Sequence, residues 1–314
     1  MAKITTTTQI DDALGKWYSP NLIELAQPVL VANQFGRKTS IPKKHSDTVV
    51  WGSFDDLEEP TGALLEGIEP DAKYLRITRQ PATARQYGSL VILSDVVELT
   101  VSDPTANQAQ IKLSQQMAKY LDTLTFDVLS ASGSLYNFQY GDNGLTPTEW
   151  SQEDSDEIVQ RLMSNDAPPF EGVVTGVNKE GTEPLDESFY VITNTKAYND
   201  IKKLASWNSI AGYPDPKMRK NGERGYVDNA RICLTSKGPV DTSGAHDIYD
   251  AFFIAQDAYG VVDIDGGNAK MIFTPPGGPG DRLEQTSSLG WKAWHAAKIL
   301  QERNLIRGLY TLSA

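Results

Sequence analysis

Gly290–Ala314 reads GWKAWHAAKILQERNLIRGLYTLSA, and the regular structure assigned to it decides how the chain is put together. Two readings fit. Trp291, Trp294, His295 and Ile299 fall at helical spacing, whereas Trp291, Ala293, His295, Ala297 and Ile299 alternate like one face of a strand. In the second reading QERN is a turn and LIRGLYTL a further strand. Tryptophan and β-branched side chains lean toward strand. A closing strand would hold in a ladder a terminus that otherwise frays.

A helix is unambiguous elsewhere. In SDPTANQAQIKLSQQMAKYLDTLTFDVLSASGS (102–134), Ala106, Ala109, Leu113, Met117, Tyr120, Leu121, Leu124 and Val128 recur at helical spacing. Ser102 or Asp103 suits the N-cap and Pro104 the first turn. Gly133 is the expected stop. At about 1.5 Å per residue such a helix is roughly 40 Å long, a strut rather than an ordinary helix. A second amphipathic helix is expected over EDSDEIVQRLMSNDAPPF (153–170), ended by Pro168 and Pro169, and a short one over 195–205.

Extended structure is expected at DTVVWGSF (47–54) and again over 72–95, where Leu75 and Ile77 alternate with Arg76 and Thr78. Between them LEEPTGALLEGIEPD (57–71) holds two prolines and two glycines and fits neither regular element. The shape implied is a long two-stranded excursion with an irregular acidic segment inside it. Single strands are expected at 188–194 and 226–236 and a strand followed by a Pro/Gly loop over 269–281, with helix- or strand-like runs over 247–266 and irregular chain over 207–225. There is no internal repeat.

The 314 residues suggest two domains, or one with a large insertion. Twenty-nine basic and 41 acidic side chains give a net charge of −12, which argues against a general nucleic-acid surface. One cysteine, Cys233, excludes an intrachain disulfide framework and reads as a buried structural thiol. The start lacks a secretion signature, and no apolar run approaches a membrane span, so folding in a cytoplasm is expected.

Motifs for chemistry are missing. His45, His246 and His295 are scattered and outside metal-ligand spacing. No G-x-S-x-G elbow appears. GGPGD (277–281) lacks the G-K-[ST] of a phosphate loop, and DIDGGNAK (263–270) lacks the ligand pattern of a calcium loop. The neighbouring Asp55 and Asp56 read as a solvated face rather than a glycosidase pair. The sequence calls for no catalytic residue, metal or cofactor.

One pattern is electrostatic. Residues 46–75 hold eight acids, Asp55, Asp56, Glu58, Glu59 and Glu66 among them, and one base. Residues 1–45 hold six bases, including Arg37, Lys38, Lys43 and Lys44, against three acids. Arg76, Arg79 and Arg85 follow the acidic stretch. Intrachain compensation and complementarity between neighbouring copies both fit, and in the second case charge sets register. Leu64, Leu65 and Ile68, inside the acidic stretch, are then candidates to dock on a neighbour.

Three stretches carry a family resemblance: TVVWGSF with LLEGIEP and RQYGSLVILSD, leading into the long helix; KNGERGYVDNARICLTS after a strand–helix unit; and LGWKAWHAAKILQERNLIRG. In this order the chain resembles the major capsid proteins of tailed bacteriophages, the HK-ninety-seven-type fold, and within it the N-four-like branch. The resemblance implies an α+β phage major capsid fold. An N-terminal arm would cover 1–45 and an extended β-loop with flanking strands 46–95. A peripheral domain would cover 96–185, with its spine helix at 104–132. An axial domain would follow at 186–286. The closing strands, 287–314, would return to the peripheral sheet.

The same resemblance implies a major head protein that is no enzyme. It would assemble with itself into hexamers and pentamers of an icosahedral shell around double-stranded DNA, held without specific recognition and without a membrane. A separate scaffolding protein, a portal protein and a decoration protein would be its partners. The location would be the virion, after assembly in a bacterial cytoplasm. Alternatives are an encapsulin-like cargo shell, an acidic α+β hydrolase, and a tail or decoration protein. An isopeptide cross-link through Lys73 has no local support.

Overall fold

The computed structural model describes residues 30–41, 47–54, 57, 62–63, 72–94, 105–170, 187–210, 219–244, 246–262, 269–277 and 283–313. In chain order, β1 (Arg37–Thr39) precedes a ribbon of β2 (Thr48–Phe54) and β3 (Ile77–Thr83), and β4 (Arg85–Ser94) follows after one residue. Next come α1 (Thr105–Leu129), the hairpin β5 (Leu135–Gln139) and β6 (Asp142–Asn143), and α2 (Gln152–Ser164). Then come β7 (Phe189–Asn194), α3 (Tyr198–Ile201), β8 (Trp207–Ser209), β9 (Glu223–Val227) and β10 (Ala230–Thr235). The chain continues through β11 (Val240–Asp241), β12 (Ile248–Ile254), β13 (Tyr259–Val262) and β14 (Ala269–Thr274). It closes with β15 (Thr286–His295), β16 (Ala297–Ile299) and β17 (Leu305–Thr311).

The largest sheet runs β6-β5-β17-β12-β7-β10-β9-β8, with β11 beside β12. Its centre is buried on both faces, and every residue of β7 and β10 is buried. One face packs Phe189, Val191, Phe253 and Tyr310 against Ile158 and Leu162 of α2. The other packs Tyr190, Ile192, Phe252 and Ile254 against Phe35, Phe126 and Leu129. Continuous apolar runs such as FYVIT and AFFI are what a doubly covered sheet requires. Cys233 lies in the second of these cores, as a buried thiol pushed well above its ordinary pKa by desolvation.

A smaller sheet, β14-β15-β4, takes the middle of α1. Leu113, Met117, Ala118 and Leu121 pack on Ala269, Met271, Leu289, Trp291 and Ala293. Phe126 and Leu129, farther along the same helix, enter the core of the large sheet. At about 1.5 Å per residue α1 is roughly 37 Å long, and it ties the two sheets together as a strut. Arg307 of β17 secures its far end. One guanidinium nitrogen donates to the Ser130 carbonyl at 2.7 Å, and others reach Asp250 of β12. A cation at a helix C-terminus is favourable in itself.

Several expectations are corrected. α1 ends at Leu129 rather than at Gly133, because i+3 bonds from Ala131 and Ser132 tighten its last turn and Arg307 takes a free carbonyl. α2 covers 152–164, capped at Ser151 by a reciprocal box with Asp154, and ends before the prolines where Asp166 turns left-handed (φ 52°). YVDNARICLTS is a hairpin, since Asp228 has φ 46° and Asp-Asn makes the two-residue turn. Residues 207–209 form a short strand on β9.

The terminal segment is strand, with Trp291, Ala293 and His295 facing inward. Its two long strands do not share a sheet as expected. β15 pairs β4 and β14, whereas β17 pairs β12 and β5. Residues 135–170 likewise attach to the large sheet, through β5 and α2.

Candidate intersubunit interface

The chain enters the described fold through a buried polar knot. Asp122 of α1 accepts the backbone N–H of Val31 at 2.7 Å and of Asn33 at 3.4 Å, at the start of a 3-10 turn over Ala32–Gln34. Thr125 Oγ1 donates to Asn33 Oδ1 at 2.7 Å and lies 3.2 Å from His295 Nε2. The Tyr259 hydroxyl donates to the Ala32 carbonyl. Burial pushes the Asp122 carboxyl up to about 7, although the backbone donors pull the other way. Burial holds His295 down at about 4. Whatever precedes residue 30 therefore leaves from a point clamped to the strut.

The β2–β3 ribbon is anchored at its base and bare toward its tip. Val49 and Trp51 pack with Ala84, Val262 and Ala296. The indole lies over Gly260, where an added Cβ would come within 2.4 Å of it. Gln301 Nε2 donates to Ser53 Oγ at 2.7 Å and holds the ribbon along the turn after β16. Directly opposed pairs share a face. Val50 with Pro81, Gly52 with Arg79 and Phe54 with Ile77 thus form the outer one. Phe54 is 60 % exposed and Tyr74, just before β3, 87 %. Pro81 is tolerated because β3 has a free edge.

Four expected interface residues lie among the described ones, and all four are exposed: Arg37, Lys38, Arg76 and Arg79. Arg37 reaches the Gly52 carbonyl at 3.5 Å, and Arg79 stands opposite Gly52, so the fold brings these two arginines to one place on the ribbon. Lys38 shares β1 with Arg37, and Arg76 precedes β3. Lys43, Lys44, Asp55, Asp56, Glu58, Glu59, Leu64, Leu65, Glu66 and Ile68 lie outside the described residues.

A second surface was not anticipated. The face of the β14-β15-β4 sheet away from α1 is open. Its middle row is Ile272, Gly290 and Leu90, and one flanking row is Thr274, Ser288 and Ile92. Leu90 and Ile92 are 61 % and 64 % exposed, and Ile272 is 43 % exposed. The other flanking row opposes Lys270 directly to Lys292, with Gly88 beside them. In SLVIL apolar residues occupy both strand parities, so the sequence cannot say which of them face solvent. The packing of α1 on Leu289 and Trp291 sets the inner side of the sheet.

Among the described residues no group of three or more metal-ligating side chains assembles, and no helix is long and apolar enough to cross a membrane. Among the described residues, a groove along α1 is lined by Lys112, Lys119 and Lys237 and by no carboxylate.

Comparison with solved structures places this architecture. The chain superposes on the capsid of Ralstonia phage GP4 with a TM-score of 0.64 and 14 % identity, over 90 % of this chain and 89 % of that one. On the head structure of Helicobacter pylori bacteriophage KHP40 the values are 0.62, 12 %, 91 % and 90 %. The holo-SrpI encapsulin complex from Synechococcus elongatus PCC 7942 also matches, at 0.54 and 9 %, over 88 % and 85 %. No family model and no curated protein matches the sequence. The chain has the α+β fold of phage capsid subunits, a fold it shares with an encapsulin shell.

Proposed function

We propose that this chain is the major head protein of a tailed bacteriophage and assembles into hexamers and pentamers that close an icosahedral shell around double-stranded DNA. The observation that carries the reading is the likeness to phage capsid structures over about nine-tenths of the chain. The physics supports it. A ribbon with a bare apolar outer face and an open apolar sheet are surfaces that a monomer does not explain. Head-to-tail contacts between identical copies generate rings when the rotation closes.

In this reading 1–45 is an arm, and 46–95 holds the flanking strands and, between them, an extended loop laid on the next copy. The peripheral body is α1 with β4, β14 and β15. The axial body is the large sheet, to which β5, α2 and β17 belong by pairing or packing. Ten expected contacts outside the described residues, from Lys43 and Lys44 to Ile68, keep their proposed roles alongside Arg37, Lys38, Arg76 and Arg79. The subunit is structural rather than catalytic. A scaffolding protein, a portal protein and a decoration protein complete the head, which forms in the host cytoplasm. The acidic net charge suits DNA held by confinement.

The encapsulin likeness supports a second reading, a cargo shell on the same fold. Electron microscopy of the protein expressed with its neighbouring genes decides. Closed shells enclosing nuclease-protected DNA are expected. Shells filled with one protein cargo would favour the second reading, and a dispersed monomer would overturn both.

A further inference from the structure

α1 has two unlike faces. Leu113, Met117 and Leu121 pack on the β14-β15-β4 sheet. Lys112, Gln116, Lys119 and Thr123 follow at intervals of four, three and four residues and share the outward face. Lys237, from the turn between β10 and β11, reaches the same groove, so the strut and the large sheet build it together. All three lysines are exposed. Among the described residues none of their ammonium groups has a carboxylate within ion-pair distance. Asp127, a turn beyond Thr123, lies outside the lining. On a chain with net charge −12, three cations here repel one another until an anion enters. The groove also carries a held neutral donor. The Trp291 indole N–H donates to Gln116 Oε1 at 3.2 Å, which leaves the amide NH2 of Gln116 to donate elsewhere.

The lining decides which anion fits. Lysine, glutamine, threonine and tyrosine are side chains that bond to phosphate oxygens. Among the described residues no aliphatic side chain lines the groove. An acidic protein segment would need an apolar anchor, and the cores of protein contacts are poor in lysine. Tyr120, the aromatic residue of the lining, meets Tyr87 edge-on at 5.5 Å and offers no platform for successive bases. A duplex backbone therefore fits better than a single strand.

We propose that this groove on the outward face of α1 seats the phosphate backbone of the enclosed DNA duplex. Lys112 and Lys119 stand about 10 Å apart along the helix axis, at about 1.5 Å per residue. That spans roughly three phosphates of one strand, at about 3.4 Å each. The open apolar face of the β14-β15-β4 sheet lies on the side away from α1. The face read as a contact between copies and the cationic groove thus belong to opposite surfaces. Backbone contacts carry no sequence information, so any duplex is held alike. The acidic remainder of the surface keeps the contact local. The proposal rests on the shell reading for the presence of DNA, and it names where the subunit touches it.

The test uses the full-length subunit before assembly and a fluorescent DNA duplex of arbitrary sequence, followed by anisotropy across a salt series. Binding at low salt is expected, with equal affinity for unrelated sequences. In a Lys112→Gln/Lys119→Gln/Lys237→Gln variant the slope of log affinity against log salt should flatten by roughly 2 to 3, at about 0.9 per phosphate contact. A Lys270→Gln/Lys292→Gln variant, altered on the opposite surface, should keep the wild-type slope. Since the substituted lysines are exposed, circular dichroism of both variants should match the wild type. In the wild type, DNA should protect Lys112, Lys119 and Lys237 from acetylation and leave Lys270 and Lys292 reactive. No binding up to about 0.1 mM protein at about 50 mM salt, an unchanged slope in the triple variant, or equal protection of all five lysines would overturn the proposal. Polyglutamate displacing the duplex at an equal or lower concentration of charge would overturn it in favour of an acidic protein partner. Microscopy tests the shell reading separately. Shells with an unchanged slope would sink the groove and keep the shell, and groove-dependent binding without shells would do the reverse.

Discussion

Asp122 binds the chain's entry point by accepting backbone N–H bonds, and burial raises its pKa to about 7. The sign of its pH effect follows. A carboxyl with an ordinary pKa near 3.8 unfolded and about 7 folded favours the fold while protonated. That share of stability is complete below pH 4 and is lost as pH rises through 7. It amounts to at most about 4 kcal/mol. His295, held near 4, acts oppositely: its share is present above about 6.5 and lost as pH falls through 4. Denaturant unfolding at pH 5 and pH 8 should show a pH-dependent gap between wild type and Asp122→Asn. A constant gap would refute the buried-carboxyl account. Arg231 is a second residue to probe. It pairs with Glu223 at 2.7 Å with both side chains buried, and its guanidinium lies over the Tyr190 ring. Arg231→Leu leaves Glu223 buried without its partner, and a loss of about 3–5 kcal/mol is expected in the same measurement.

At the scale of elements, α1 and the ribbon behave differently. α1 is buried in two cores, so truncating it should destabilise the whole fold. Met117→Ala is expected to cost about 2–5 kcal/mol, measured by chemical denaturation. The ribbon is held mainly by Trp51 over Gly260, Val49 and the Ser53–Gln301 bond. Gly260→Leu puts a side chain where the indole lies. It should release the ribbon while the large sheet survives. Limited proteolysis should then cut between residues 47 and 94 at least about tenfold faster, with little change in far-ultraviolet circular dichroism. Equal cleavage rates would show that the ribbon has other anchors.

At the scale of the whole molecule, exposed apolar side chains stand together on the ribbon's outer face and on the open sheet, and both are read as contacts between copies. Phe54→Asp, on a side chain 60 % exposed in the isolated subunit, should leave folding intact. Shell yield by electron microscopy should fall at least about tenfold, as for a buried aromatic anchor in an interface. Shells at the wild-type yield would remove the ribbon from the assembly contacts. Raising the salt should weaken the charged contacts more than the apolar ones, since screening acts on exposed charges.

The sequence by itself determined the elements whose signals are local. The 3.6-residue stripe through Leu113, Met117 and Leu121 marked α1, and TVVWGSF and FYVITN read as strands from their own residues. The alternation through Trp291, Ala293 and His295 was visible too, though helical spacing competed with it. Only the tertiary structure decided which strands meet. β15 and β17 are nine residues apart in sequence yet join different sheets, because pairing is set by partners as distant as Leu90 and Phe252. Exposure was equally non-local. In SLVIL both faces are apolar, and Leu90 and Ile92 lie on the side away from α1 at 61 % and 64 % exposure, while Val91 on the other side is 36 % exposed. Local spacing states what a segment prefers, whereas burial and strand pairing depend on residues that the chain brings together only on folding.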